Sequence, residues 1–287
     1  MRLIRFGPRG QERPGLMRED GRIVDLRRHF SQIPDIGRRF FQEGWLDRLA
    51  ALDDPGEVRR ERLGAPVPRP GKIICLGKNY AEHAREGGFE RPARPLLFCK
   101  TVNTVNGPFD PIVLPVSSGK VDWEVELVVV IGRAGKRIST AAAWDFVAGY
   151  TVMNDVSGRE AQFADSQWFR GKSFDGFAPM GPCILTADAI GDVGNLRLTA
   201  AVDGVVMQDG NTGDMLFDIP SIIADISRDM TLAPGDIIST GTPAGVGIFR
   251  DPPVVLQPGN VVECAIEKIG AIVNPVVADE GAGELSL

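Results

Sequence analysis

VDWEVELVVVIG, residues 121–132, is the stretch on which the reading of this chain turns. Its density of β-branched residues marks a strand. In a strand every second side chain points to one face, so Glu124 and Glu126 project together, about 7 Å apart. Val128 and Val130 continue that face, which puts two carboxylates at the end of an apolar stripe where unpaired negative charge is costly. Something positive is expected between them. The alternative is a solvated strand end with Lys120 and Arg133 close by, the ordinary fate of an isolated E-x-E.

The next apolar stretch, GYTVMND (149–155), ends in Asp155. Ser157-Gly-Arg-Glu160 directly follows and has the S-x-x-E form of a capping box, which predicts a helix start. Taken alone, Asp155 reads as a local cap at a strand-to-helix corner. Taken with Glu124 and Glu126, it completes an all-oxygen set. Such a set suits Mg²⁺ or Mn²⁺ with open water positions, or the larger Ca²⁺, better than Zn²⁺, which is normally held by His or Cys.

Outward from this centre the chain divides into two parts. LIRFG and GLMREDGRIVDL near the N-terminus read as short strands, with Asp20-Gly21 as the hairpin turn, and residues 36–52 carry apolar groups at helical spacing. A charged, proline-rich passage then leads to a boundary near Pro70. Beyond it KIICLG, PIVLP, GPCILT, LRLTAAVDG, GDIISTG, VVECAIEKIG and AIVNPVV are further strand signals, and residues 215–229 repeat their apolar positions three and four apart as a helix does. The expected fold is α+β, mostly β. A small N-terminal α/β domain spans 1–70 and a larger β-rich domain spans 71–287.

Composition removes several classes of function. With 32 basic and 38 acidic residues the net charge is -6 and the basic residues are scattered, so no nucleic-acid partner is expected. The strongly apolar run at 127–131 is far too short to span a bilayer, so no membrane partner is expected and the cytosol is the expected compartment. Four separated cysteines among apolar or small neighbours read as buried free thiols in a reducing environment.

Of the two histidines, His29 sits among arginines and reads as structural, whereas His83 lies in GKNYAEHARE, three residues before Glu86. On a helix that spacing lets the carboxylate fix the imidazole tautomer and raise its basicity, as a general base requires. A polar surface pair has the same spacing. Lys172, in GKSFDGF, is a solvated lysine by default, or the cation that a substrate carboxylate or enolate needs. STGTPAGVG (239–247) lacks the Lys-Ser/Thr of a Walker motif, but its glycines let backbone amides approach an anion. Lys78, Tyr80 and Gln208 are each candidates either to touch substrate or to shape structure.

The ordered motifs G-K-N-Y-x-x-H-x-x-E, D-W-E-V-E-L, N-D-V-S-G-R-E-x-Q, G-K-S-F-D-G-F-x-P-M-G-P and S-T-G-T-P-A-G-V-G resemble the fumarylacetoacetate hydrolase family. The N-terminal stretch further resembles bacterial members with a small leading domain, including 2,4-diketo-3-deoxy-sugar-acid hydrolases and proteins labelled ureidoglycolate lyase. The resemblance implies a rolled, mixed β-sandwich catalytic domain, a homodimer and one divalent ion per site. It makes Glu124, Glu126 and Asp155 the metal ligands, Lys172 a substrate-reaching lysine, and Arg159 and Gln162 helix residues facing the substrate. It also makes Thr242 the residue whose hydroxyl and amide hold the substrate carboxylate, and His83 and Glu86 a dyad on a mobile lid helix. Glu160 stands where many relatives carry Asp and Gly176 where Thr is common, neither at a ligand position. The implied reaction is hydrolysis of a C–C bond in a 2,4-diketo acid, with His83 activating water and pyruvate as one product. Oxaloacetate decarboxylation and keto–enol isomerisation are the alternatives within the same chemistry, and a non-catalytic keto-acid-binding protein is the alternative outside it.

Overall fold

A computed structural model describes residues 1–281 except 60 and 89. The strand Val125–Ile131 lies inside an 11-stranded mixed sheet, between the antiparallel strand Val147–Asn154 and the short strand Ile237–Ser239. On one side the sheet continues through Ala178–Thr186 to Arg2–Phe6, Arg13–Met17 and Ile23–Asp25. On the other it ends with Ile73–Gly77, parallel to Ile237–Ser239, and Leu96–Lys100. A second sheet of five strands runs Val205–Asn211, Arg197–Val202, Val261–Ile266, Gly270–Ala278 and Ile112–Leu114. The chain is thus mostly β with mixed sheets, as its sequence implies.

All seven residues of Val125–Ile131 are buried, which explains why its apolar residues run continuously rather than alternating. Val125, Leu127, Val129 and Ile131 pack in one core with Leu198, Ala200, Val262 and Cys264 of the second sheet and with Ile222, Ile223 and Ile226 of the helix Ile219–Asp229. Val128 and Val130 pack on the opposite side, in a core with Leu3, Ile36, Phe40, Trp45, Ile73 and Ile184. Fully burying a side chain of this kind contributes about 1.5–3 kcal/mol, so both layers hold this strand firmly.

Residues 1–70, expected as a leading unit, supply four strands to one end of the large sheet and helices to its second face. Strands on both sides of Pro70 belong to the large sheet, and residues from both sides pack in one core. Asp20-Gly21 makes the expected turn, with Gly21 at a φ of 81°. The helix expected over 215–229 begins at Ile219, where the Asp218 carboxylate caps the Ser221 amide. No capping box forms after Asp155. Ser157 and Gly158 pair with Val121 and Asp122, Ser157 Oγ turns back to the Asp155 carbonyl, and the Glu160 carboxylate accepts from Gly119 N. Among the cysteines, Cys75, Cys183 and Cys264 are buried as expected, but Cys99 is exposed on the edge strand Leu96–Lys100.

Because Leu3 is fully buried in the shared core, Leu3→Ala is expected to destabilise the chain by about 2–5 kcal/mol in urea unfolding. Calorimetry should show one transition. Two resolved transitions would mean that residues 1–70 melt on their own.

Candidate active site

Pairing of Val125 with Asn154 carries Asp155 to the side of Glu124. Two hydrogen bonds fix the corner: Asp155 N donates to the Glu124 carbonyl at 2.8 Å, and Glu124 N donates to Asn154 Oδ1 at 3.0 Å. Ligand atoms of Glu124, Glu126 and Asp155 all lie within 4.8 Å of one another, and the three residues are 5%, 1% and 0% exposed. The solvated strand end and the local cap are both overturned by this burial.

Three bases answer these acids. Lys172 Nζ is 2.7 Å from Glu124 Oε2 and 2.7 Å from Asp155 Oδ2, and Lys100 Nζ is 2.6 Å from Asp155 Oδ1. Arg159 spans Asp122 Oδ1 (2.6 Å), Glu124 Oε1 (2.7 Å) and Gln162 Oε1 (2.9 Å). Burial alone would raise the Glu124 pKa, but Lys172 and Arg159 hold it down at about 2. Lys172 is likewise pulled down by burial and driven back above the usual lysine range by Asp155 and Glu124. Lys100, completely buried, is lowered by desolvation despite Asp155 beside it.

Glu126 differs from its neighbours. Its carboxylate accepts from the Ser239 hydroxyl and from Gly241 N at 3.0 Å, and among the described residues no basic side chain forms an ion pair with it. Burial, then the Asp155 and Glu124 charges, push its pKa well up. A buried carboxyl that lacks a cationic partner and faces two other carboxylates fits a hard divalent cation bound by all three.

The helix Ala81–Glu86 covers this cluster. His83 is only 8% exposed, its ring centroid 5.9 Å from that of Phe249 and its Nδ1 3.4 Å from Glu86 Oε2. The two Glu86 oxygens accept from Gly245 N at 3.1 Å, which fastens the helix to the 239–247 loop. Gly245 has a φ of 104°, and a Cβ there would lie 2.1 Å from the Met207 carbonyl oxygen, so only glycine serves. Of the dyad expected on a surface helix, His83 is thus buried and lines the same cavity as Glu124 and Glu126, while Glu86 stays partly exposed at the edge of the cover.

Beneath the helix lies a cavity of about 30 Å³, lined on its polar side by His83, Glu124, Glu126, Arg159, Gln162, Lys172 and Thr242. Phe98, Phe163, Trp168 and Phe249 supply its aromatic walls, and Lys78 borders it. That volume takes a water or two, so a larger molecule must displace part of the cover to enter.

Not every sequence candidate lines the cavity. Tyr80 is buried in the core behind the helix, and its hydroxyl finds no hydrogen-bond partner among the described residues. Gln208 is a strut. Its Oε1 accepts from Val125 N at 2.9 Å, and its Nε2 donates to Thr242 Oγ1 at 2.8 Å and to the Pro243 carbonyl at 2.7 Å. Thr242 reaches the cavity, but its hydroxyl, expected to hold a substrate carboxylate, donates to the Val125 carbonyl at 2.9 Å. His29 pairs with Asp54 in the N-terminal segment, away from the site.

Sequence reasoning passed over Asp122, Lys100 and Ser239. Strand alternation places Asp122 on the face of Glu124 and Glu126, so its role was legible. Phe98 and Lys100 share a face by the same rule, but a lysine at a strand end reads as solvated until the fold buries it.

The sequence profile of the fumarylacetoacetate (FAA) hydrolase C-terminal domain matches residues 72–277. The oxaloacetate tautomerase FAHD2A of Bos taurus is 43% identical over 288 residues, covering 96% of this chain and 92% of that protein. Among solved structures, a fumarylacetoacetate hydrolase from psychrophilic Exiguobacterium antarcticum superposes with a TM-score of 0.86 at 38% identity, covering 97% of this chain and all of that one. Maleylpyruvate hydrolase from Sphingobium sp. SYK-6 does so with a TM-score of 0.79 at 36% identity, again over 97% of this chain and all of the other. The profile match takes in every residue that lines the cavity, and the chain belongs to the fumarylacetoacetate hydrolase family.

Proposed function

We propose that this protein is a divalent-cation-dependent enzyme for small 2-oxo acids that works through their enolates, with keto–enol exchange as its leading reaction. The observation that carries this reading is that His83, with Glu86 beside it, lines one cavity with Glu124 and Glu126, while Asp155 lies within ligand reach of both glutamates. Mg²⁺ or Mn²⁺ held by Glu124, Glu126 and Asp155 would draw electron density from the 2-oxo group and so make the adjacent C3–H acidic.

His83 then takes a proton from C3 and returns it to the oxygen on C2, or the reverse, so that nothing is consumed and keto and enol forms interconvert. Glu86, pinned by Gly245 N, holds the ring in place. Lys172, kept charged by Glu124 and Asp155, supplies positive charge beside the oxygen that becomes negative. The helix Ala81–Glu86 excludes bulk water while the carbanion equivalent exists.

Two considerations favour exchange as the leading reading over the C–C hydrolysis that sequence motifs suggested. The aromatic walls Phe98, Phe163 and Phe249 offer no partner for the hydroxyls of a sugar-acid tail, and tautomerases of oxaloacetate are similar to this chain over nearly its full length. Hydrolysis of 2,4-dioxo acids is the second reading, supported by the same His83–Glu86 pair and by the likeness to maleylpyruvate hydrolase. In it His83 takes a proton from water, hydroxide adds to C4, the C3–C4 bond breaks, and C3 gains a proton to leave pyruvate and a carboxylic acid.

Incubation with oxaloacetate, acetylpyruvate and fumarylpyruvate separates these readings. Rapid decay of the enol absorbance without pyruvate supports exchange, pyruvate release from a dioxo acid supports hydrolysis, and unchanged substrate bound at the site would make the protein a binder. His83→Ala is expected to lower kcat roughly 10²–10⁴-fold while Mn²⁺ affinity, followed by calorimetric titration, stays within about 3-fold. Glu126→Gln removes a buried acid that lacks a basic partner. The cation-free variant should therefore melt no lower than cation-free wild type, and the rise in Tm with Mn²⁺ should vanish. A retained Mn²⁺ shift would remove Glu126 from the cation site.

A further inference from the structure

We propose that a cleft beside Tyr150 is a second ligand site, and that it takes an organic cation: a primary ammonium carried on an apolar body the size of an aromatic ring system. The cleft shares no lining residue with the cavity beneath the helix Ala81–Glu86, so it stands whatever reaction that cavity performs.

Its walls come from the short helix Thr140–Phe146, the strand Val147–Asn154, the turn after the helix Ala187–Ile190, and the segment that leads into the helix Ile219–Asp229. They bound about 440 Å³, within the range of clefts that hold small molecules, roughly 300–1,000 Å³. Most of the lining is apolar, Val193 and Met215 included. Trp144 stands at the cleft 47% exposed, a large ring of the kind that best attracts a cation to its face.

Tyr150 leaves a polar atom unanswered here. The residue is 2% exposed and packs in the core with Val129 and Leu185, its partners in the neighbouring strands. It also lines the cleft, and its hydroxyl makes no hydrogen bond with any described residue. A polar atom so nearly buried is costly unless something in the cleft pairs with it. Burial holds the phenol above its usual pKa range, so it stays neutral and adds no charge of its own.

The charge around it is negative. Asp192 and Asp218 line the cleft and no basic side chain does. Asp192 Oδ1 accepts from Gly194 N at 2.9 Å and Asp218 Oδ1 from Ser221 N at 2.9 Å, and neither aspartate forms an ion pair with a described residue. Asp218 answers the positive end of the helix it caps, whereas Asp192 has no such charge to answer. Lys268, near the same turn, donates to the Ile190 carbonyl at 3.1 Å and lies outside the lining. An anion would meet two like charges, and a wholly apolar molecule would leave the Tyr150 oxygen unpaired. An ammonium donates to a carboxylate and to the phenol oxygen while its apolar body lies on Trp144 and Met215.

The test is calorimetric titration of the full chain with three molecules that share an indole body: tryptamine with an ammonium, tryptophol with a hydroxyl and indole-3-propionate with a carboxylate. Tryptamine is expected to bind with a Kd of about 1 mM or tighter, and at least roughly 10-fold tighter than the other two. Asp192→Asn keeps the oxygen that accepts from Gly194 N and should erase most of that preference. Tyr150→Phe keeps the ring in the core, should melt no lower than wild type, and should weaken tryptamine roughly 3- to 10-fold. Equal binding of the three compounds, or a preference that survives Asp192→Asn, overturns the cation assignment. Unchanged tryptamine binding in a folded Tyr150→Phe removes Tyr150 from the site and overturns the proposal with it. Absence of tryptamine binding to wild type overturns it as well, as it would if a second copy of the chain covered the cleft.

Discussion

The structure depends on keeping three carboxylates together where bulk water scarcely reaches them. Glu124, Glu126 and Asp155 sit at the ends of two paired strands that are packed on both faces. Isolated charges there would carry a desolvation penalty of several kcal/mol each, and only close partners offset it. Lys100, Lys172 and Arg159 supply those partners for Asp155, Glu124 and Asp122. Four acids against three bases leave the cluster one charge short, and the shortfall falls on Glu126. A divalent cation would turn that deficit into an excess of one positive charge, the sign that attracts an anionic oxo acid.

The layers of the fold serve this centre in different ways. Packing of Val125, Leu127 and Val129 against the five-stranded sheet, and of Val128 and Val130 against the N-terminal helices, fixes the strand that carries the two glutamates. Gln208 reaches from the second sheet to Val125 N, between those glutamates, and to Thr242 and Pro243 of the glycine-rich loop. That loop in turn supplies Gly241 N to Glu126 and Gly245 N to Glu86. One loop therefore touches both the acids and the cover above them, so the position of the helix Ala81–Glu86 is coupled to the site through backbone amides that a side-chain substitution cannot remove.

Much of this was open to a reader of the chain. Strand alternation put Glu124 beside Glu126, the next strand brought Asp155 into range, and the i,i+3 spacing joined His83 to Glu86. What alternation could not supply was the second face. Val125–Ile131 reads as a strand from its composition, but whether Glu126 lies in water or under a helix depends on residues more than a hundred positions away, Ser239 and Gly241 among them. The capping box at Ser157 failed for a similar reason. Pairing of 157–158 with 121–122 offered the backbone a better arrangement than a local cap.

The amino-acid sequence by itself determined which residues carry charge, which strands are apolar and how the acids repeat along them, because those features follow from local chemistry and the two-residue period of an extended chain. Tertiary structure decided which charges are buried and who answers them. It turned Gln208 and Tyr80 from substrate candidates into internal supports, drew Lys100 out of apparent solvent to Asp155, and left Glu126 without a base. Those outcomes depend on which surfaces meet when the sheets and helices pack, and no local rule fixes the dielectric around a side chain before its neighbours arrive.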